Sequence, residues 1–396
     1  MKNKIIPYGK HYIDNRDINA VIKNLKSGSL TQGPAIEKFE DKIKKLVKCN
    51  YAVAVSSCTA GMHIALLSAG FKKNDILLTS PISFVSTANV SKFCEGKVKF
   101  VDINLDDLNI SPEILKKKIK KIKVNAVIPV HFSGKASNVK LIRKIVGRRV
   151  ILIEDAAHAF GAKYDDGTMV GSCKYSNATV FSFHPVKSIA TGEGGVVTTN
   201  DKKIYKNLLR LRSHGINKLD DSFILQNQAY TKKIRNPWYY EMRELGFNYR
   251  MTEIQASLGV SQLDKLNKFM TKRRKIAKYY FRYIKKNEKN LNFTIAQKTN
   301  YNLSSNHLFI IKLNLKKIKK TRAQIMKELL MKNIQTQVHY IPIPMHPFYK
   351  NDKNIKLSDF KNAKKYYDTC LSIPIFYSLT QKQQIYVLDN LKRIIN

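Results

Sequence analysis

Seven short apolar segments, set between amphipathic stretches, constrain this chain more than any other feature. They are YAVAVSS, ILLTSP, VKFVDI, AVIPVHF, VILIEDAA, ATVFSF and GGVVTT, all within the first 200 residues. Each is apolar along its length, with no alternation of polar and apolar positions, which is the pattern of strands buried on both faces. Between them, STANVSKFC, SPEILKKKIKKI and VKLIRKIV have helical spacing, as do DNRDINAVIKNLK and AIEKFEDKIKKLVKC before the first strand. Buried strands separated by helices predict a largely parallel sheet with helices on both faces. After about residue 200 the pattern changes. KKIYKNLLRLRSHG and the long run from MTEIQ to YFRYIKK read as helices; HLFIIKL and QTQVHY read as strands, and RAQIMKELLMKN and QKQQIYVLDNLKRII as helices. This predicts a large α/β domain over residues 1–265, including an N-terminal segment, and a smaller α+β domain over 266–396.

Composition fits a folded chain of that size. Of 396 residues, 43% are hydrophobic, enough for a sizeable core. No apolar run reaches bilayer length, and MKNKIIPYGKHYIDN has no signal-peptide core, so the expected location is the cytoplasm, with no membrane partner. The five cysteines are scattered without metal-site or redox spacing, so reduced thiols and no metal centre are expected. The formal net charge of +42 raises the question of nucleic acid. The excess is mostly lysine, spread along predicted helix faces and accompanied by abundant Asn and Ile; that is the mark of compositional bias, and no nucleic-acid partner is expected.

Chemistry concentrates in FSFHPVKSIATGEGG, residues 181–195. Lys187 lies in a turn between two strands and ahead of the glycines, so this is no GxxxxGK[ST] phosphate loop. Asp155 ends the strand of VILIEDAA, where open α/β sheets place their ligands, although a strand-end acid also serves as an ordinary helix cap. A strand-end carboxylate, a strand-end serine (Ser182) and a turn lysine suit pyridoxal phosphate. That cofactor takes a lysine covalently, a carboxylate at its ring nitrogen and hydrogen-bond donors at its phosphate.

The sequence resembles the sugar aminotransferases of the pyridoxal-phosphate fold type I superfamily, the group named after DegT, DnrJ, EryC and StrS. The resemblance rests on SGSLTQGPAIEKFE, SSCTAG, TSPISFVSTANV, EDAAHAFGAKY, FSFHPVKSIATGEGGVVTTND, LRSHGI, ELGFNYRMTEIQASLGVSQL and QVHYIPI. It implies the aspartate aminotransferase-like fold, with a mostly parallel seven-stranded sheet. It also implies that Lys187 is the covalent lysine and Asp155 the partner of the pyridinium nitrogen, with His158 beside the ring and Phe84 stacked on it. Thr59, Ala60 and Ser182 would donate to the phosphate. Asn248, in GFNYR, would reach the phosphate from the other subunit of an obligate homodimer with composite sites. Tyr8, the loop of Gly28, Ser29, Leu30 and Thr31, and the stretch Gln337, Val338, His339 and Tyr340 would hold a nucleotide sugar. His158 and Phe84 also read as plain core residues, Tyr8 and Tyr340 as interface aromatics, and Arg250 and Glu253 as structural residues at a helix start.

Within the family, TSPISFVSTAN, DAAH, FHPVK and NPWYYEMRELGFNYRM resemble the branch on the route to pseudaminic acid. That branch implies a UDP-linked 4-keto-6-deoxy-N-acetylhexosamine as acceptor and L-glutamate as donor, with the cofactor passing through its pyridoxamine phosphate form. HFSGKA and Cys58 depart from common family patterns and leave the sugar open, so another UDP-, dTDP- or GDP-linked keto sugar is the alternative. A related dehydratase branch carries histidine at the lysine position, and a non-catalytic regulator would have lost Lys187 or Asp155; this chain has both.

Overall fold

The computed structural model describes residues 5–218, 223–352 and 355–396. The first four residues of the N-terminal segment therefore lie outside the described part. The seven apolar segments form one sheet from β1 (Tyr51–Val55), β2 (Ile76–Thr79), β3 (Lys97–Phe100), β4 (Ala126–Ile128), β5 (Ile151–Asp155), β6 (Ala178–Ser182) and β7 (Gly195–Thr199). Their order is β1-β7-β6-β5-β4-β2-β3. β7 runs antiparallel to both neighbours, and the remaining pairings are parallel. Six strands therefore point the same way and end on one edge.

The two-residue side-chain period explains the layers. Along β1, Val53 and Val55 enter one apolar cluster while Ala52 and Ala54 enter another; β7 divides Val197 and Val196 in the same way. Both faces are apolar, so both need helices. The helix Cys58–Ser68 is buried on nearly every side because its sequence is apolar all round.

A third cluster gathers Ile276, Tyr280, Phe293, Phe309, Ile325 and Leu388 with Ile6 from the N-terminal segment. It surrounds a three-stranded antiparallel sheet of Phe293–Ile295, Phe309–Leu313 and Cys370–Ile373. The long helical run from MTEIQ onward is two helices, Glu253–Leu263 and Leu266–Lys286. Between them Lys265, buried, pairs with Asp17 and with Asp14 at 2.8 Å. The second helix serves both cores: Leu266, Phe269 and Met270 pack with the large sheet, and Ile276, Ala277 and Tyr280 with the small one.

One expected strand does not form. QTQVHY makes only an isolated bridge between Gln337 and Ser372, with another at Ile334 just before it, and is otherwise irregular. Val338, His339 and Tyr340 face a cavity here, and an irregular backbone delivers three consecutive side chains to one side where a strand cannot.

Candidate active site

Ligands of open α/β sheets bind beyond the carboxyl ends of the strands, and a cavity of about 780 Å³ lies there. Its lining draws on Ser57 after β1, Ser83 after β2, Val130 after β4, Asp155 at the end of β5 and Ser182 at the end of β6. Lys187 enters it from the turn between β6 and β7. That turn is closed by Phe183 N–H to Gly194 O (2.9 Å), Thr191 N–H to Phe183 O (2.9 Å) and Lys187 N–H to His184 O (2.9 Å). Gly195 opens β7 because nothing larger fits: a Cβ there would stand 2.8 Å from the backbone nitrogen of Cys58 and from the carbonyl oxygen of Phe181. The glycine run thus lets the start of the helix Cys58–Ser68 rest directly on the turn that carries the lysine.

That helix start is built to donate. Ser57 caps it, accepting from the N–H of Ala60 at 3.1 Å. The N–H groups of Cys58 and Thr59 precede the first intrahelical acceptor, and both residues line the cavity. Ala60, expected as a donor, is not in the lining, and its amide is taken by Ser57. Thr59 and Ser182 are both at the cavity, as expected.

Lys187 is partly accessible through the cavity yet surrounded by protein, and desolvation lowers its pKa to about 8, against the smaller opposing effects of Cys58 and Asp155. Asp155 is 4% exposed. Its Oδ2 accepts from Thr87 Oγ1 at 2.7 Å and its Oδ1 from the Ala157 N–H at 3.1 Å. His158 accepts the Ser133 N–H at Nδ1 (3.3 Å), which leaves Nε2 protonated to donate to the Tyr340 hydroxyl at 3.1 Å. The Tyr340 proton is then free to point at a ligand. Burial, then the Lys187 charge, push the His158 pKa well below its usual value and that of His339 to about 3. Both rings are neutral at pH 7, and His339 Nδ1 meets Ser372 Oγ at 2.9 Å. Phe84 is 58% exposed at the cavity, an apolar face open to a flat ring, with Tyr340 6.3 Å away.

The structure brings Lys187, Asp155, Thr59, Phe84, His158, Ser182, Tyr8, Gln337, Val338, His339 and Tyr340 to this one cavity. Asn248 and the loop of Gly28, Ser29, Leu30 and Thr31 are not in its lining and lie mostly exposed. The loop of residues 28–31 is tied to Glu253, while Asn248 bridges to Ser213. The Glu253 carboxylate is fully buried and accepts the N–H groups of Ala35 (2.8 Å) and Ile36 (2.9 Å) at the start of the helix Pro34–Val47, and the Glu253 N–H binds Leu30 O (3.0 Å). Glu253 is thus a cap, as the structural reading of that residue held.

Sequence reasoning missed Ser83, Thr87 and His307 at or beside the cavity. Ser83 and Thr87 stand within TSPISFVSTANV, and His307 within SSNHLFII, but side-chain direction is not written in a motif. It also missed Glu154, the neighbour of Asp155 on the opposite face of β5. Burial alone would raise the Glu154 pKa, but hydrogen bonds from His131 (2.7 Å), Ser176 and Tyr164 (2.5 Å) more than offset it and keep the carboxyl below its usual value.

A lysine with a depressed pKa, a buried carboxylate, an exposed aromatic face and a helix start with free donors fit pyridoxal phosphate, group for group. Fold and cavity together define a pyridoxal-phosphate enzyme of fold type I. The profile of the DegT/DnrJ/EryC1/StrS aminotransferase family matches residues 11–392, and the chain belongs to that family of pyridoxal-phosphate-dependent sugar aminotransferases. The chain is 34% identical over 394 residues to the UDP-4-amino-4,6-dideoxy-N-acetyl-beta-L-altrosamine transaminase of Campylobacter jejuni, covering 99% of this chain and 98% of that one. It is 32% identical over 397 residues to the spore coat polysaccharide biosynthesis protein SpsC of Bacillus subtilis, covering 100% and 98%. Among solved structures, Helicobacter pylori PseC, an aminotransferase of pseudaminic acid biosynthesis, superposes with a TM-score of 0.86 at 29% identity, covering 99% of each chain.

Proposed function

We propose that this aminotransferase moves the amino group of L-glutamate to C4 of a UDP-linked 4-keto-6-deoxy-N-acetylhexosamine. The observation that carries this reading is the full-length likeness to transaminases of that sugar, joined to a cavity that gathers Lys187, Asp155 and the predicted sugar-side residues Tyr8, His339 and Tyr340. When bound, pyridoxal phosphate supplies the carbonyl that takes up the amino group and a ring that accepts electrons. The chain's own residues do the rest. With its lowered pKa, Lys187 offers a free amine near neutral pH, first as the covalent holder and then as the base that carries a proton to and from the reacting carbon. The Asp155 carboxylate holds a proton on the ring nitrogen. Thr59, Ser182 and the first N–H groups of the helix Cys58–Ser68 receive the phosphate. His158 turns the Tyr340 hydroxyl toward the sugar side.

The active form in this reading is a homodimer. Asn248 and residues 28–31 lie outside their own cavity and mostly exposed, which suits delivery to a partner's cavity. Trp238 (73% exposed), Met242 and Leu245 add a nearby apolar face for a second copy to cover.

The test offers glutamate with UDP-linked and with dTDP-linked 4-keto sugars and identifies the amino sugar formed. A 4-amino product from the UDP sugar is expected. Reaction with the dTDP sugar alone would overturn the substrate and favour the second reading, another nucleotide-linked keto sugar.

A further inference from the structure

The Asp155 carboxylate is buried, and both of its hydrogen-bond donors are neutral groups, although the Lys187 charge acts on it across the cavity. A buried carboxylate needs such donors to satisfy its oxygens. One is the Ala157 backbone N–H at 3.1 Å; the other is the Thr87 hydroxyl at 2.7 Å. Thr87 is fully buried on the first turn of the helix Ser86–Phe93, 68 residues away in sequence. Its oxygen also lies 2.7 Å from the Ser83 hydroxyl, itself 3% exposed and part of the cavity lining.

A hydroxyl has one proton and an ionised carboxylate has none. The Thr87 proton is therefore committed to Asp155, and at the Ser83–Thr87 contact Ser83 is the donor. The chain of hydrogen bonds has one direction, Ser83 to Thr87 to Asp155. Between its first two members stands Phe84, whose exposed ring faces the same cavity. One turn of chain thus presents a flat apolar face and fixes the carboxylate.

We infer that Thr87 is a positioning residue: its hydroxyl holds the Asp155 carboxylate in place and turned to the cavity, and Ser83 sets the direction of that hydroxyl. The inference rests on the pyridoxal-phosphate reading of the site. Without Thr87 the carboxylate keeps only the Ala157 N–H as donor, and its alignment with a ring nitrogen loosens.

Thr87→Val keeps the shape and removes the hydroxyl, Thr87→Ser keeps the hydroxyl, and Ser83→Ala removes only the first donor. Each variant and the wild type are loaded with pyridoxal phosphate. The cofactor's dissociation constant and the pH midpoint of its visible absorption band are then measured. Thr87→Val is expected to bind the cofactor about tenfold more weakly, the scale of one hydrogen bond to a charged group, and to move the midpoint. Thr87→Ser should stay close to the wild type, with Ser83→Ala between. Thr87→Val matching the wild type in both readouts, or Thr87→Ser as impaired as Thr87→Val, overturns the inference alone. A wild-type protein that takes up no cofactor overturns it together with the functional reading.

Discussion

At the scale of single residues the account turns on Lys187. An ordinary lysine titrates near 10.4; burial brings this one to about 8. In the cofactor-free protein, the pH dependence of acylation at Lys187, quantified by peptide mass spectrometry, should show a midpoint near 8. The Asp155 charge raises the Lys187 pKa, so Asp155→Asn should move that midpoint lower. A midpoint near 10 would mean that the lysine is solvated and not poised for covalent chemistry. Lys187 and Asp155 were legible in the sequence because such a cofactor calls for those groups and the strand pattern places Asp155 at a strand end and Lys187 in the turn after another strand. Thr87 was not: a buried threonine in STAN looks like any other, and only the folded chain shows Asp155 beside it. His158 was legible as a position but not as a tautomer, which the Ser133 amide decides.

Among elements, the sheet was legible because strands buried on both faces write continuous apolar runs. What failed was QTQVHY, whose apolar and β-prone residues serve the cavity instead of a ladder. The capping of the helix Pro34–Val47 by Glu253, 217 and 218 residues away, also has no local signal. The glycine run has one position that close packing dictates. Gly195→Ala pushes a methyl group against three backbone atoms that no rotamer change can relieve. The start of the helix Cys58–Ser68 must then move away from β7, at a cost of about 2 kcal/mol, the usual scale of overpacking. Denaturant unfolding should show that loss, accompanied by weaker cofactor binding. Unchanged stability would mean that helix and strand are less tightly apposed than described.

For the whole molecule, the buried imidazoles make a statement about acid stability. Burial lowers the pKa of His63 to about 4 and of His339 to about 3, and pushes those of His158 and His307 well down. Between the ordinary histidine value near 6.5 and these lowered values, the unfolded chain binds more protons than the folded one. Stability is therefore fully present above about pH 6.5 and falls as the pH drops toward 4. Denaturant titrations of the cofactor-free protein across that range should show a declining unfolding free energy, with a shallower slope in His63→Asn. A flat profile would contradict the burial of these rings.

The central claim is that, of all the lysines in a chain with 71 Lys and Arg residues, Lys187 alone is the covalent partner of pyridoxal phosphate. The measurement is borohydride reduction of the cofactor-loaded protein, followed by digestion and mass mapping of the fixed cofactor. The account predicts a single modified peptide bearing the cofactor on Lys187, and none in Lys187→Ala. A cofactor fixed on another lysine, or none fixed in a protein that still transfers amino groups, would contradict it.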